Sequence, residues 1–277
     1  MWKRARFIRS NVGLTAIGGN ADILVQFYLS DGTLDAHRET SVSEHSYTPL
    51  NRIIRWVKNI GYNPNLKGYV RVITKPGSTL KAIGGPIDEN TDDPSITSLG
   101  TTGFTVGSTP LIIKDPLVGW RTQLIIANPN ETQVTVTLYP YDANGNAQSS
   151  KTINIAAGGQ YISDDLVDDL GLSSGFYGML VIQSDKPVYG FVHQYNQTRT
   201  GGIYPVYDYN NSPGEKEWYF PYIVSDDTYR SNIGFSNYSS TSAQLTIQFY
   251  KYNASNGQNT LEAEKKRFRY CSTFDGL

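Results

Sequence analysis

Residues 120–141 read Trp-Arg-Thr-Gln-Leu-Ile-Ile-Ala-Asn-Pro-Asn-Glu-Thr-Gln-Val-Thr-Val-Thr-Leu-Tyr-Pro-Tyr, and residues 229–250 read Tyr-Arg-Ser-Asn-Ile-Gly-Phe-Ser-Asn-Tyr-Ser-Ser-Thr-Ser-Ala-Gln-Leu-Thr-Ile-Gln-Phe-Tyr. The two stretches stand at one constant offset of 109 residues (229 − 120, and 250 − 141). Each opens with an aromatic residue, Arg, and Thr or Ser, then enters an alternating segment. Each turns at Asn128 or Asn237 and alternates again as far as Tyr141 or Tyr250. Alternation at period two marks a strand with one buried face, because successive side chains leave a pleated strand on opposite sides. The pattern sends Leu124, Ile126, Val134, Val136 and Leu138 inward in one copy. In the next it sends Ile233, Phe235, Ala243, Leu245 and Ile247 inward.

A more divergent copy precedes these two. Residues Arg6–Asn11 align with the first strand and its Asn, and Ile23–Tyr28 with the second. The match continues into a hairpin turn, Ser30-Asp31-Gly32 against Asn144-Gly145, both suited to primed turns. Further on, Tyr47-Thr48-Pro49 predicts the opening of a short helix with Leu50, Ile53, Ile54, Val57 and Ile60 at helical spacing. Thr48 serves there as N-cap, Pro49 as N1 and Gly61 as C′. In the second copy Ser163 caps a helix over 164–170, with acids in its first turn and Gly171 closing it. A Gly-led strand follows each helix, at 68–73 and 178–182, and then a further strand at 80–83 and 188–193.

The fold expected is all-β: tandem Ig-like antiparallel β-sandwich modules, each with a short helix in one crossover. Module 1 spans 1–108, module 2 spans 109–217, and a partial module 3 spans 218–277. Module 3 carries a leading strand at 219–224, the two matched strands and a strand over 260–269. Module 1 lacks the leading strand that module 2 has at 111–113. Incomplete sandwiches leave unpaired edge groups. Either the residues after about 258 fold back as a cover, or another chain donates strands head to tail and builds a filament. The tail at 267–274 does not alternate cleanly, which favours truncation or internal patching.

The copies resemble the tandem Ig-like or fibronectin-like repeats of uncharacterised bacterial secreted or cell-surface proteins. Trp120-Arg121-Thr122 and Asn128-Pro129 carry the resemblance, with an echo at Tyr229-Arg230-Ser231 and Asn237-Tyr238. It implies a sandwich fold and export, and no particular chemistry.

Composition agrees with a β chain full of tight turns: 20 Tyr and 26 Gly in 277 residues, with charged residues at only 18 %. Lys+Arg at 24 against Asp+Glu at 25 argues against a nucleic-acid partner, which needs a basic face to neutralise phosphates. One cysteine, Cys271, permits no internal disulfide and no Cys/His zinc site. No apolar run approaches the roughly 20 residues of a membrane span, so no membrane insertion is expected. The opening Met-Trp-Lys-Arg-Ala-Arg-Phe-Ile-Arg is basic but has no apolar segment behind it. It reads as a mature, extracellular or cell-surface chain with an initiator Met added, in preference to a protein that stays inside.

Signals for chemistry are weak. Gly171-Leu172-Ser173-Ser174-Gly175 has the G-x-S-x-G form of a nucleophile elbow, but the helix precedes it and a strand follows, the reverse of the required order. Downstream of it, His193 and Asp185 fall within one hairpin region. His37, His45 and His193 are scattered, with no ligand spacing among them. Calcium is a candidate cofactor at Asp164-Asp165 with Asp168-Asp169, and at Asp88-Glu89 with Asp92-Asp93. The first cluster reads better as a helix start and the second as an exposed loop. Asp142-Ala143-Asn144-Gly145-Asn146 reads better as a hairpin than as a calcium loop. The sequons at Asn130, Asn196, Asn210, Asn237 and Asn253 are what an Asn- and Thr-rich chain produces and carry no information. Aromatic residues converge on the junction of modules 2 and 3: Trp120, Tyr195, Tyr204, Tyr207, Trp218 and Tyr222, with Tyr209 and Tyr219 nearby. They read as inter-module packing first and as a glycan platform second.

The sequence thus points to a non-catalytic structural or adhesive component of a cell surface or extracellular assembly, free of cofactors apart from the calcium candidate. Its partners would be copies of itself or other surface proteins. A carbohydrate-binding accessory protein with glycan partners is the alternative, and a hydrolase the third reading. The register makes a test of its own. Val136→Asp buries a carboxylate and should unfold the second module, at a cost of several kcal/mol. Thr135→Asp, one residue away on the outer face, should stay within about 0.5 kcal/mol. Equal melting of the two variants would place the register one residue off.

Overall fold

The computed structural model of the chain describes residues 8–59, 66–75, 77, 79–88, 93–94, 97–98, 102–196, 200–208, 223, 235–238, 243–253, 255 and 258–269. It is mostly strand, in several antiparallel sheets, so the chain is all-β.

The N-terminal sandwich runs β1 (Ile8–Ile17), β2 (Ala21–Leu29), β3 (Leu34–Val42), β4 (Tyr47–Leu50), α1 (Ile53–Lys58), β5 (Gly68–Thr74), β6 (Thr79–Asp88), and two short pieces, β7 (Asp93–Pro94) and β8 (Thr97–Ser98). One sheet places β1 between β4 and β6; the other places β2 between β3 and β5. Val12, Leu14 and Ala16 of β1 and Ala21, Ile23, Val25 and Phe27 of β2 turn inward at period two. They meet Val42, Leu50, Ile53 and Val57 in one core. Removing a side chain such as Phe27 or Ile23 from water contributes roughly 1.5–3 kcal/mol, and both are essentially unexposed.

Two expectations fail around α1. Thr48 and Pro49 belong to β4, opposite Leu14 and Gly13, and the helix begins only at Ile53. Pairing with β1 and burial of Leu50 outweigh the cap signal of Thr48, and Pro49 sits on an edge strand where its missing N–H costs nothing. The N-cap is Arg52, left-handed at φ 52°, whose N–H donates to Asn11 Oδ1 at 2.8 Å. Ile53 and Val57 are buried, as helical spacing requires; Ile60 and Gly61 lie outside the described residues.

The second sandwich runs β9 (Phe104–Ile113), β10 (Arg121–Ala127), β11 (Val134–Asp142), β12 (Lys151–Ile155), β13 (Gln160–Ser163), α2 (Leu166–Asp169), β14 (Tyr177–Tyr195), β15 (Thr200–Pro205) and β16 (Tyr207–Asp208). Its pairings repeat those of the first. Strand β10 lies between β13 and the second half of β14, and β11 lies between β12 and the first half. One 19-residue strand therefore does what β5 and β6 do separately. It changes sheets across Ser184–Pro187, where Ser184 Oγ donates to the Lys186 carbonyl at 2.7 Å and the register with β9 shifts. Leu124, Ile126, Val134, Val136 and Leu138 are all at 0 % exposure, which fixes the register expected from alternation, and Thr135 is exposed. The leading strand β9 is longer than expected. It starts at Phe104, across position 109, and flanks β14 on one side and β16 on the other.

The ladders correct one part of the repeat alignment. Val12 faces Leu50 and Gly84, while Leu124 faces Ser163 and Val192, so the first strands superimpose at an offset of 112 (124 − 12). Ala16, not Asn11, thus occupies the place of Asn128. The second strands match as expected, at 113 (141 − 28): Leu29 faces Gly68 where Asp142 faces Gly178. Both glycines have one cause, since a Cβ at Gly68 would strike the Tyr28 carbonyl, and one at Gly178 the Tyr141 carbonyl. In the second helix Ser163 is a strand residue, and the N-cap is Asp165, whose side chain accepts from the Asp168 N–H. Gly171, at φ +70°, closes the helix as expected.

A hairpin of β17 (Ala243–Asn253) and β18 (Gln258–Arg269) follows. Ala243 stands 109 residues after Val134, the start of β11, so this is the β11–β12 hairpin again, but longer: Ala243 pairs with Arg269 where Val134 pairs with Ile155. The inward set expected here is not buried. Phe235, Leu245 and Ile247 are half-buried and Ala243 is exposed, because two strands cannot enclose a core. Ile233 and most of 219–224 lie outside the described residues.

The two sandwiches touch through their turns. The Gln160 N–H donates to the Ser30 carbonyl at 2.9 Å, and the Tyr69 hydroxyl to the Gly158 carbonyl at 3.0 Å. Tyr69 stacks on Tyr28 with ring centres 5.2 Å apart; burial, aided by Tyr28, pushes its phenol up to about 12, so it remains a donor. Gly32, at φ +95°, abuts the Ala157 carbonyl with no room for a Cβ. Gly32→Val should both strain the turn and push the sandwiches apart. The strain alone costs about 1–3 kcal/mol, and calorimetry should show a lower melting temperature with two transitions resolved; an unchanged single transition would show that this joint carries no coupling.

Candidate functional site

The repeat motif occupies one end of the second sandwich, and the structure assigns its side chains to ties. Thr122 is fully buried: its Oγ1 accepts from the Ile113 N–H at 2.8 Å and donates to the Ile113 carbonyl at 3.0 Å, closing the β9–β10 loop. Within that loop Asp115 Oδ1 accepts from the Leu117 and Val118 N–H groups, and the Trp120 carbonyl accepts from the Asp115 N–H. Asn128, also fully buried, donates through Nδ2 to the carbonyls of Thr132, Ile155 and Ala156 and accepts through Oδ1 from Asn130. Arg121 and Lys114 reach Asp165 at 3.2 and 3.1 Å, and Lys114 also pairs with Asp168. The hydrogen bond to Asp168 raises Lys114 against the opposing effect of desolvation, and the same bond lowers Asp168.

The calcium candidates separate. Asp164 accepts from Gln123 Nε2 at 2.7 Å, and Asp165 and Asp168 face cations, so the first cluster is an acid–base lattice. Asp142 makes the hairpin turn: its Oδ1 accepts from the N–H groups of Asn144 and Asn146 at 2.8 and 2.9 Å. Burial acts to raise Asp142, and its hydrogen bonds from Asn146, Asn144 and Gly145 outweigh that and hold it below the usual carboxylate value. Glu89 and Asp92 lie outside the described residues, as do the side chains of Asp88 and Asp93. Among the described residues no three His, Cys, Asp or Glu gather into a metal-binding group, and no helix is long and apolar enough to cross a membrane.

Ser173 lies exposed in the loop from α2 to β14, with the helix before it and the strand after it. His193 is buried on β14, with Nδ1 3.4 Å from Gln123 Oε1 and its ring stacked on Tyr195. Asp185 accepts from the Thr135 N–H at 2.9 Å. On the first sandwich, His37 is exposed opposite Gln26, and His45 stands 3.9 Å from Glu44.

Four of the six junction aromatics are described; Trp218 and Tyr222 lie outside the described residues, as do Tyr209 and Tyr219. Tyr195 and Tyr204 fall on opposite faces. Tyr204 pairs with Val192 on the core side and donates to the Leu111 carbonyl at 3.3 Å, while Tyr195 shares the other face with His193 and donates to the Asp164 carbonyl at 2.6 Å. Burial pushes the Tyr204 phenol far up. Tyr207 is 48 % exposed on β16, and Trp120 is half-buried at the loop end. The structure adds Tyr238, packed on Val106, Tyr141, Met179 and Val181, its phenol pushed up to about 12 by burial; the Ser236 hydroxyl beside it donates to the Pro110 carbonyl.

Sequence reasoning missed an open groove of about 450 Å³ on the first sandwich, lined by Arg38, Asn51, Arg52, Arg55, Trp56 and Asn59. Arg38 faces Val25 across the β2–β3 ladder, on the core side of an edge strand, so its guanidinium emerges against α1. It lies over Trp56, 4.6 Å from the ring centre, and donates to the Trp56 carbonyl at 2.8 Å. The signal was present in 51–59, Asn-Arg-Ile-Ile-Arg-Trp-Val-Lys-Asn, which holds three cations and no acid; only the pairing of β3 brings Arg38 to it.

Lys114→Met should destabilise the second sandwich by about 1 kcal/mol, because the mostly buried Asp165 loses one of its two cations and keeps only Arg121. Asp168 is depressed when folded, so its share of stability is complete above about pH 4 and is lost as pH falls through its lower folded value. Urea midpoints of parent and variant should therefore converge on acidification; a gap that persists at low pH would assign the loss to packing.

Comparison with family models, with curated proteins and with solved structures found no match to this chain.

Proposed function

We propose that this chain is a non-catalytic structural or adhesive component of a cell surface or extracellular assembly, built of two tandem Ig-like modules, the second opening at β9, with a partial module at 218–277. The supporting observation is the use made of the repeat motif. Thr122 and Asn128 are fully buried and hydrogen-bonded to backbone, and Arg121 faces Asp165, so the repeated residues tie strands together and leave no reactive group over. The Ig-like part of the reading rests on two pairings characteristic of that sandwich. Strand β10 pairs with β13 as B does with E, and β11 lies between β12 and β14 as C does between its neighbours. It departs at the ends, where β9 flanks the first half of β14 and the second half of β14 flanks β10. The partners in this reading are further copies of the chain or other surface proteins. A glycan-binding role is the second reading, and the arginine-lined groove favours it.

Light scattering over a concentration series tests self-assembly: growth in mass with concentration supports a polymerising component, and a monomer throughout leaves adhesion to other partners. A general esterase and glycosidase screen tests the non-enzyme part, where ester hydrolysis that disappears in Ser173→Ala would overturn it.

A further inference from the structure

The two crossover helices superimpose through their ladders, and their charges are inverted. Leu50 and Ser163 hold the same place opposite β1 and β10, and Ile53 and Leu166 open the helices three residues later. Asn51, Arg52, Arg55 and Trp56 thus stand where Asp164, Asp165, Asp168 and Asp169 stand in the second sandwich. One contact is kept: Arg38 donates to the Trp56 carbonyl, and Lys151 from the equivalent strand donates to the Asp169 carbonyl, each at 2.8 Å. That contact is a tie between strand and helix. The rest differs in its consequence. Of these acids, Asp165 and Asp168 are answered by Lys114 and Arg121 from within their own sandwich, and Asp164 by Lys67 of the first at 3.6 Å. Among the described residues no carboxylate pairs with Arg38 or Arg55, and Asp35, on β3 beside α1, pairs with Lys58.

We propose that this groove binds carboxylate groups of an acidic polysaccharide. The inference rests on the glycan-binding reading above and names its ligand class. Guanidinium groups present planar donor forks that match carboxylates two bonds at a time. The groove is open and lined by polar side chains and one indole, unlike the enclosed apolar pocket that suits a drug-sized molecule, and a hydrated polymer can lie along it. Nucleic acid is disfavoured because a net charge of −1 provides no extended basic face. Asp165 and Asp168 of a second copy are disfavoured as well, since Lys114 and Arg121 already face them.

Titration calorimetry on the full chain with polygalacturonate, dextran sulfate, poly(dT) and neutral dextran tests the proposal. Polygalacturonate should bind, with affinity falling as salt rises, and neutral dextran should not. Arg55→Gln should weaken binding about tenfold, the loss of one charge-assisted bond, and Arg55→Glu should abolish it, with circular dichroism unchanged in both. Arg38 is left intact because it ties the helix. Absence of binding to polygalacturonate, tighter binding to poly(dT) or dextran sulfate, or undiminished binding by Arg55→Glu each overturns the proposal. A glycan array on which neutral sugars bind parent and Arg55→Glu alike would overturn the groove while leaving the glycan-binding reading in place.

Discussion

Strand β14 has to hydrogen-bond with β11 along its first half and with β10 along its second, although those two strands belong to opposite layers. A straight strand cannot do both. The turn of backbone at Ser184–Pro187 lets it change layers, and the unmatched step in the β9 ladder at the same place absorbs the extra length. Everything in the second sandwich then follows. Val136 and Leu138 on one sheet meet Leu124 and Ile126 on the other, and Leu180, Ile182, Val188 and Val192 line the seam between them. The first sandwich meets the same demand with two strands, β5 and β6, joined through residues 75–78.

Because both sandwiches obey one pairing scheme, their differences are informative. The crossover helix is short in each, six residues and four, too short to be stable alone. It is held by buried apolar residues, Ile53 and Val57 or Leu166 and Val167, and by one cation from the edge strand. Those positions are constrained. The outward positions of the helix are not, and there the first sandwich places arginine and tryptophan where the second places aspartates with partners of their own. A scaffold that fixes its inner face and varies its outer one is a suitable carrier for binding surfaces.

The sequence alone determined the faces of the alternating strands in the second copy. Period-two alternation is local, so Leu124, Ile126, Val134, Val136 and Leu138 could be assigned inward without knowing what they would meet, and the hairpin at Asp142–Asn146 followed from turn chemistry. Tertiary structure decided what depends on partners. Tyr47–Leu50 is a strand and not a helix start because β1 offers it an edge. Asn11 and Asn128 look alike in sequence, yet the ladders put Ala16 in the place of Asn128. Tyr195 and Tyr204, close in the chain, are sent to opposite faces. Arg38 stands fourteen residues or more from the other arginines of its groove and reaches them only because β3 folds back on β2 beneath α1; that proximity arises from long-range pairing, which no local pattern in the chain encodes.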